Sequence, residues 1–152
     1  MRDGKRGASV PSLNFQPQFV PAVENGIDQL GGLPLRHPGV RAKRQTIRAL
    51  RKVPIKVGDA LHLFTGMRTP KCRRLGAAIC VSAWPVTIWN AANGRFISAS
   101  SETIYQIRDD GWDWETHLAV ADGFDDEKSM LEWFVRTHRI TSQPWNGRVT
   151  RW

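Results

Sequence analysis

Apolar residues recur along this chain with two periods. Phe19, Val20, Val23 and Ile27 fall at helical spacing, with Pro21 suited to a first turn and Gly26 to a C-cap, and predict a short helix over 18–26. Met130, Leu131, Phe134, Val135 and His138 share one helical face and predict a second helix over 126–138. Asp125 is placed to cap it, Asp126 and Glu127 suit its positive end, and Arg136, His138 and Arg139 suit its negative end. Short β-rich runs predict strands near 13–16, 43–48, 60–65, 76–83, 95–98, 103–107 and 147–151. Pro85 marks a bend, bulge or edge in the run 75–89. Gly58-Asp59, Asn93-Gly94 and Asp109-Asp110-Gly111 supply turns, and Asn93-Gly94 suits a two-residue hairpin. Glycines and prolines predict a loop over 28–41, whereas 112–120 fits neither period. The pattern predicts a mainly β chain with flanking helices, an α+β fold built on a small barrel whose closure removes exposed edges.

Charge narrows the function classes. The 152 residues carry a net charge of +8 and a pI near 10.3, with 41% apolar residues, as expected of one folded domain. Residues 1–76 hold 15 Lys/Arg against 4 Asp/Glu, and residues 77–152 hold 7 against 10. The basic half favours a polyanionic partner; the plainer reading is a basic surface without one. Residues 1–12 read as a disordered basic arm and 13–152 as the domain. Two cysteines give no disulfide framework, and scattered histidines without Cys-x-x-Cys spacing argue against zinc; no metal or cofactor is expected. The absence of a secretory core and of any long apolar run predicts a cytoplasmic chain with no membrane partner.

The basic charge concentrates at 41–74, which holds eleven Lys/Arg and one acid, Asp59. Lys43, Arg44 and Arg48 on the strand, and Arg68, Lys71, Arg73 and Arg74 in a loop over 66–74, are candidate contacts to phosphate oxygens. Thr65 and Thr69 add hydroxyl donors. Lys43 and Thr46 lie three apart, on opposite faces of a straight strand, so they share a site only where the strand bends or ends. Given that bend, a desolvated lysine beside Arg44 or Arg48 can lose its proton and activate the threonine hydroxyl. Cys72, between Lys71 and Arg73, gains thiolate character if exposed; Cys80 reads as core. Trp84, Trp89, Trp112 and Trp114 are candidates for stacking on single-stranded bases, against the commoner role of core residues.

At Lys43-Arg44-Gln45-Thr46-Ile47-Arg48, and again from Lys56-Val57-Gly58-Asp59 through Leu61-His62-Leu63-Phe64-Thr65-Gly66, the chain resembles the ASCH domain family. Asp122-Gly123-Phe124 before a helix ending in Trp133-Phe134, then a short final strand, extends the resemblance over about 13–152, with 28–41 as an insertion. The resemblance implies a PUA-like β-barrel and binding of single-stranded RNA, with RNA-cleaving members known. In one branch it implies an amidohydrolase that removes the acetyl group of N4-acetylcytidine with a Lys, a Thr and a Glu. Lys43 and Thr46 match the first two; the place expected for the Glu, on strand 77–83, carries Cys80. The leading reading is therefore an RNA-binding domain using the 41–74 surface. The alternatives are a hydrolase of a modified nucleoside or of RNA, and a protein-interaction module meeting an acidic partner. A carboxylate beside Lys43 and Thr46 is the feature that separates the hydrolase from the binding domain.

Overall fold

The computed structural model describes residues 10–100, 104 and 113–152. Its elements run β1 (Ser12–Phe15), α1 (Val20–Leu30), β2 (Gln45–Ala49), β3 (Ala60–Thr65), β4 (Arg73–Ile79), β5 (Ser82–Ala91), β6 (Gly94–Ser98), α2 (Trp114–Ala121), α3 (Glu127–Thr137) and β7 (Trp145–Arg151). The fold is mixed α+β. The strands form two sheets, β1-β3-β4 and β2-β7-β5-β6, and no closed barrel is found among the described residues. β1 runs parallel to β3, and the other pairings are antiparallel.

Each sheet buries one face against helices. α1 covers the three-stranded sheet, and Val20 and Val23 join Leu13, Phe15, Leu61, Leu63 and Leu75 in one core. α2 and α3 cover the four-stranded sheet, where Leu118, Met130, Leu131 and Phe134 meet Ile47, Trp84, Val86, Ile88 and Val149. The alternating burial of Leu61 and Leu63 within β3 is the period-two signal that marked this strand in the sequence. No described helix is long and apolar enough to cross a membrane.

Element boundaries move where a main-chain partner lies far away in sequence. The strand expected from Lys43 begins at Gln45, because the Lys43 amide donates instead to the carbonyl of Ala22 in α1, 2.8 Å away. α1 runs past the expected end at residue 26 to Leu30, so Gly26 is an interior residue and not a cap. Asp126, not Asp125, caps α3, accepting from the Ser129 amide at 2.7 Å. Arg73 and Arg74, expected in a loop, belong to β4. The β-rich run divides at Cys80 and Val81 into β4 and β5. β6 pairs with β5 only from Thr87 onward, so Pro85 sits where β5 has one strand neighbour among the described residues, β7. A two-residue turn joins β5 to β6, but at Ala92-Asn93, one residue earlier than expected, because Gly94 pairs with Ala91 as the first residue of β6. The ambiguous stretch near 112–120 yields α2, capped by Asp113, which accepts from the Thr116 amide at 2.7 Å. The expected strand 103–107, the turn Asp109-Asp110-Gly111, Trp112 and most of the basic arm lie outside the described residues.

The loop after α1 is held by a polar stripe on the helix. Asn25 donates to the carbonyls of His37 and Val40, each at 2.8 Å, and accepts from the His37 amide at 3.0 Å. Arg36 forks onto Asp28 and also reaches Glu24. These bonds aim residues 36–43 across α1 and deliver Lys43 to the edge of the four-stranded sheet.

Gly26 is the tightest point of that crossing. A Cβ there would sit 2.1 Å from the Lys43 carbonyl oxygen. In an exposed helix interior, Gly→Ala stabilises by about 1 kcal/mol. Here overpacking reverses the sign, and Gly26→Ala is expected to lower stability by about 1–3 kcal/mol in urea unfolding. Gly31→Ala is the control, since its nearest neighbours stand at 3.6 Å or beyond. A Gly26→Ala protein as stable as wild type would show that Lys43 does not depend on this approach.

Candidate functional site

Lys43 is the centre of the site. Its side chain is 3% exposed, and its Nζ donates to the main-chain carbonyl of Asp122 and lies 3.3 Å from the Asp122 carboxylate. The ring of Phe19 faces the ammonium at 5.0 Å. Asp122 closes α2, and Gly123, at φ 98, turns the chain there. A Cβ on Gly123 would meet Phe19 at 3.3 Å and the Lys43 Cδ at 3.6 Å, so the positive φ and the close packing both favour glycine. Gln45 orients the pair from below: its Nε2 donates to the Leu118 carbonyl at 3.1 Å and to the Asp122 carboxylate at 3.5 Å, while its Oε1 accepts from Arg151 at 2.9 Å.

Burial sets the protonation of the pair. Desolvation pushes the Lys43 ammonium below its ordinary range, against the pull of the Asp122 charge and hydrogen bond, and Arg48 lowers it further. Desolvation likewise pushes the Asp122 carboxyl upward, against the charge and hydrogen bond of Lys43. Both shifts favour the neutral forms.

Thr46 and Arg48 complete the floor. Thr46 is 5% exposed, and its Oγ1 accepts from Arg48 Nε at 3.2 Å, which leaves the hydroxyl proton available to a base. Arg48 also donates to the Asn14 carbonyl and packs its guanidinium 4.9 Å from the Phe15 ring centre. Burial brings its pKa down to about 10, so it stays cationic at neutral pH. His138 stacks on Phe134 at 5.5 Å, and burial first, then Arg48, hold its pKa below 6.5. Above these residues opens a cleft of about 450 Å³, with Phe15, Phe19, Trp133 and Phe134 in its walls. Its size falls in the range of small-molecule sites.

The structure brings together three of the residues singled out in the sequence, Lys43, Thr46 and Arg48, and disperses the others. The strand begins only at Gln45, after Lys43, so the alternation of a straight strand does not hold Lys43 and Thr46 to opposite faces, and both line one cleft. Arg44 donates to the Trp152 carbonyl at 3.0 Å. Thr65 bonds the Phe15 carbonyl at 2.8 Å and Thr69 the Gly66 carbonyl at 2.6 Å, so both hydroxyls hold local structure. Arg73 pairs with Glu24 at 3.3 Å. Arg68, Lys71 and Arg74 are exposed and make no ion pair among the described residues. Cys72 is exposed. Cys80 is buried in the α1-side core, where desolvation pushes its thiol pKa up, so it cannot stand in for a carboxylate. The carboxylate of the site is Asp122, 79 residues from Lys43, with its glycine and Phe124 beside it. Trp84 is core; Trp89 stacks on Phe96 at 5.8 Å, and Trp114 packs on the α2–α3 core. The cleft takes its aromatic walls from other residues. No group of three His, Cys, Asp or Glu suited to a metal exists among the described residues.

No family model, curated protein or solved structure matches this chain.

A buried ion pair loses most when one partner goes. Lys43→Met or Asp122→Leu alone is expected to cost about 3–5 kcal/mol, because an uncompensated charge remains in the interior. The double variant is expected to recover most of that loss, giving a large coupling in a double-mutant cycle measured by urea unfolding. Additive losses would show that the two side chains do not depend on each other.

Proposed function

We propose that this chain is an ASCH-type, PUA-like domain whose cleft hydrolyses an amide on a modified nucleoside, of the N4-acetylcytidine class. One observation carries the reading: a desolvated Lys43–Asp122 pair and the Thr46 hydroxyl line the same aromatic-walled cleft. The carboxylate that the resemblance requires is supplied by Asp122, one methylene shorter than a Glu. A barrel-like closure is supported by two stitches between the sheets. Arg48 of β2 donates to Asn14 of β1, and the Val81 amide, between β4 and β5, donates to Arg151 of β7 at 2.9 Å.

The chemistry follows from the protonation of the pair. With its proton on Asp122, neutral Lys43 offers a lone pair to the Thr46 hydroxyl. Thr46 Oγ1 attacks the acyl carbon as its proton passes to Lys43, and the carbonyl π electrons move to oxygen. Collapse of the tetrahedral intermediate breaks the C–N bond, Lys43 returns the proton to the departing N4, and the acyl group remains as an ester on Thr46. Water attacks that ester as its proton passes to Lys43, and the Oγ1–acyl bond breaks as Lys43 returns the proton to Thr46 Oγ1, releasing acetic acid, which ionises to acetate. Arg48 holds Thr46 Oγ1 by a hydrogen bond and places a fixed positive charge beside the developing negative one. Phe19 and Trp133, half-buried in the cleft wall, offer aromatic surface for the base.

A second reading, binding of single-stranded RNA, draws on the exposed cations Arg68, Lys71 and Arg74, which no acid neutralises among the described residues. The two readings part at Lys43. Arg keeps the positive charge but accepts no proton at working pH. With N4-acetylcytidine as substrate, Lys43→Arg and Thr46→Val are expected to lose about 10²–10⁴ in rate, and wild-type activity is expected to rise with pH through the lowered Lys43 pKa. Thermal unfolding verifies that each variant folds, and RNA affinity and RNA cleavage are measured on the same proteins. No deacetylation by wild type, with RNA affinity lost in Arg68→Ala/Lys71→Ala/Arg74→Ala, would replace the hydrolase by the binding domain.

A further inference from the structure

The charge inside the cleft does not balance. Among the lining residues Asp122 is the one carboxylate, and Lys43 already neutralises it. Arg48 and Arg51 line the same cleft, and neither makes an ion pair among the described residues. Arg48 is fixed in place: Nε holds Thr46, one Nη2 proton holds the Asn14 carbonyl, and the guanidinium lies against Phe15. A guanidinium has five N–H donors, so its outer edge keeps donors for a ligand. Arg51 is exposed and near enough to Arg48 to disfavour its charge, after burial and against the stronger pull of Asp122. Three cations, Lys43, Arg48 and Arg51, line one opening against the single carboxylate of Asp122, an excess of positive charge that an anion relieves.

The surroundings extend this positive field. Asn14, which lines the cleft, accepts from the Met67 amide through its side chain at 3.0 Å. That bond ties the 66–72 loop to the cleft wall. Arg68 and Lys71 stand exposed on this loop.

We propose that Arg51 and the outer edge of Arg48 form an anion subsite at the mouth of the cleft, so that the molecule processed there carries a phosphate beside its base. This deepens the nucleoside-hydrolase reading and rests on it for the identity of the base. A planar fork suits two oxygens of one phosphate, and hydrogen bonds to charged groups are the strong ones. The phosphate can belong to a free nucleotide or to the end of an RNA strand; the chemistry of recognition is the same.

The test compares cytidine, cytidine 5′-monophosphate, and a short single-stranded RNA with and without a 5′-phosphate, by calorimetry on the full chain. Wild type is expected to bind the monophosphate about tenfold or more tightly than cytidine, with the difference shrinking at high salt. In Arg51→Ala, and more so in Arg51→Glu, that ratio is expected to fall towards one. Arg51 is exposed, so both variants retain the core. A further gain for phosphorylated RNA over the monophosphate identifies an RNA end as the source; equal affinity identifies a free nucleotide. Equal binding of cytidine and its monophosphate by wild type overturns the subsite, as does a phosphate preference that survives Arg51→Glu. Deacetylation of N4-acetylcytidine without a phosphate preference removes the subsite and keeps the hydrolase. A phosphate preference without deacetylation removes the hydrolase and keeps the subsite.

Discussion

A lysine ammonium taken out of water has to be met, and this structure meets Lys43 on three sides. The Asp122 carboxylate supplies opposite charge, the Asp122 carbonyl an acceptor, and the Phe19 ring a negative face. Those partners come from α2 and the segment before α1, while Lys43 itself approaches β2. One buried nitrogen therefore ties together parts of both helical layers. The arrangement is costly for stability, since a buried ion pair seldom outperforms an apolar replacement. A site whose chemistry needs a mobile proton gives a physical reason to keep it.

The surrounding sequence choices follow from that constraint. Gly26 admits the Lys43 backbone against α1, and Gly123 admits the Lys43 side chain against the end of α2. Gln45 satisfies the Asp122 carboxylate and the Leu118 carbonyl with one amide, and is itself held by Arg151. Glu24, Asn25 and Asp28 turn one face of α1 into a clamp for the loop that carries Lys43. The same Glu24 takes Arg73 from the basic surface, so part of the charge that suggests a polyanion partner is spent inside the fold.

How much was legible in the sequence depends on the range of the interaction. Leu61 and Leu63 in β3, and Met130, Leu131 and Phe134 in α3, follow local periods, and these elements lie where the periods place them. The β5–β6 hairpin is equally local, although its turn falls at Ala92-Asn93 and not at Asn93-Gly94. The start of β2 escapes a local period because a contact between Ala22 and Lys43 decides it. For the site, Lys43, Thr46 and Arg48 were legible as one short motif. Asp122 was visible only as part of Asp122-Gly123-Phe124, and no period or spacing could bring it across 79 residues to Lys43. Placing the carboxylate at Cys80 failed for a matching reason: Cys80 faces the other core. Charge density alone also could not separate Arg73, which pairs with Glu24, from Arg51, which makes no ion pair among the described residues.

The central claim is that burial leaves Lys43 able to give up its proton, and the direct measurement is the titration of Lys43 itself. Its Nζ and Cε resonances can be followed by NMR in lysine-labelled protein, with Lys43→Met identifying the signals. The account predicts a midpoint below the ordinary lysine value of 10.5, together with an Asp122 carboxyl that titrates above 3.8. A Lys43 resonance that titrates at or above 10.5, with Asp122 ionised throughout, would contradict it and leave a purely structural ion pair.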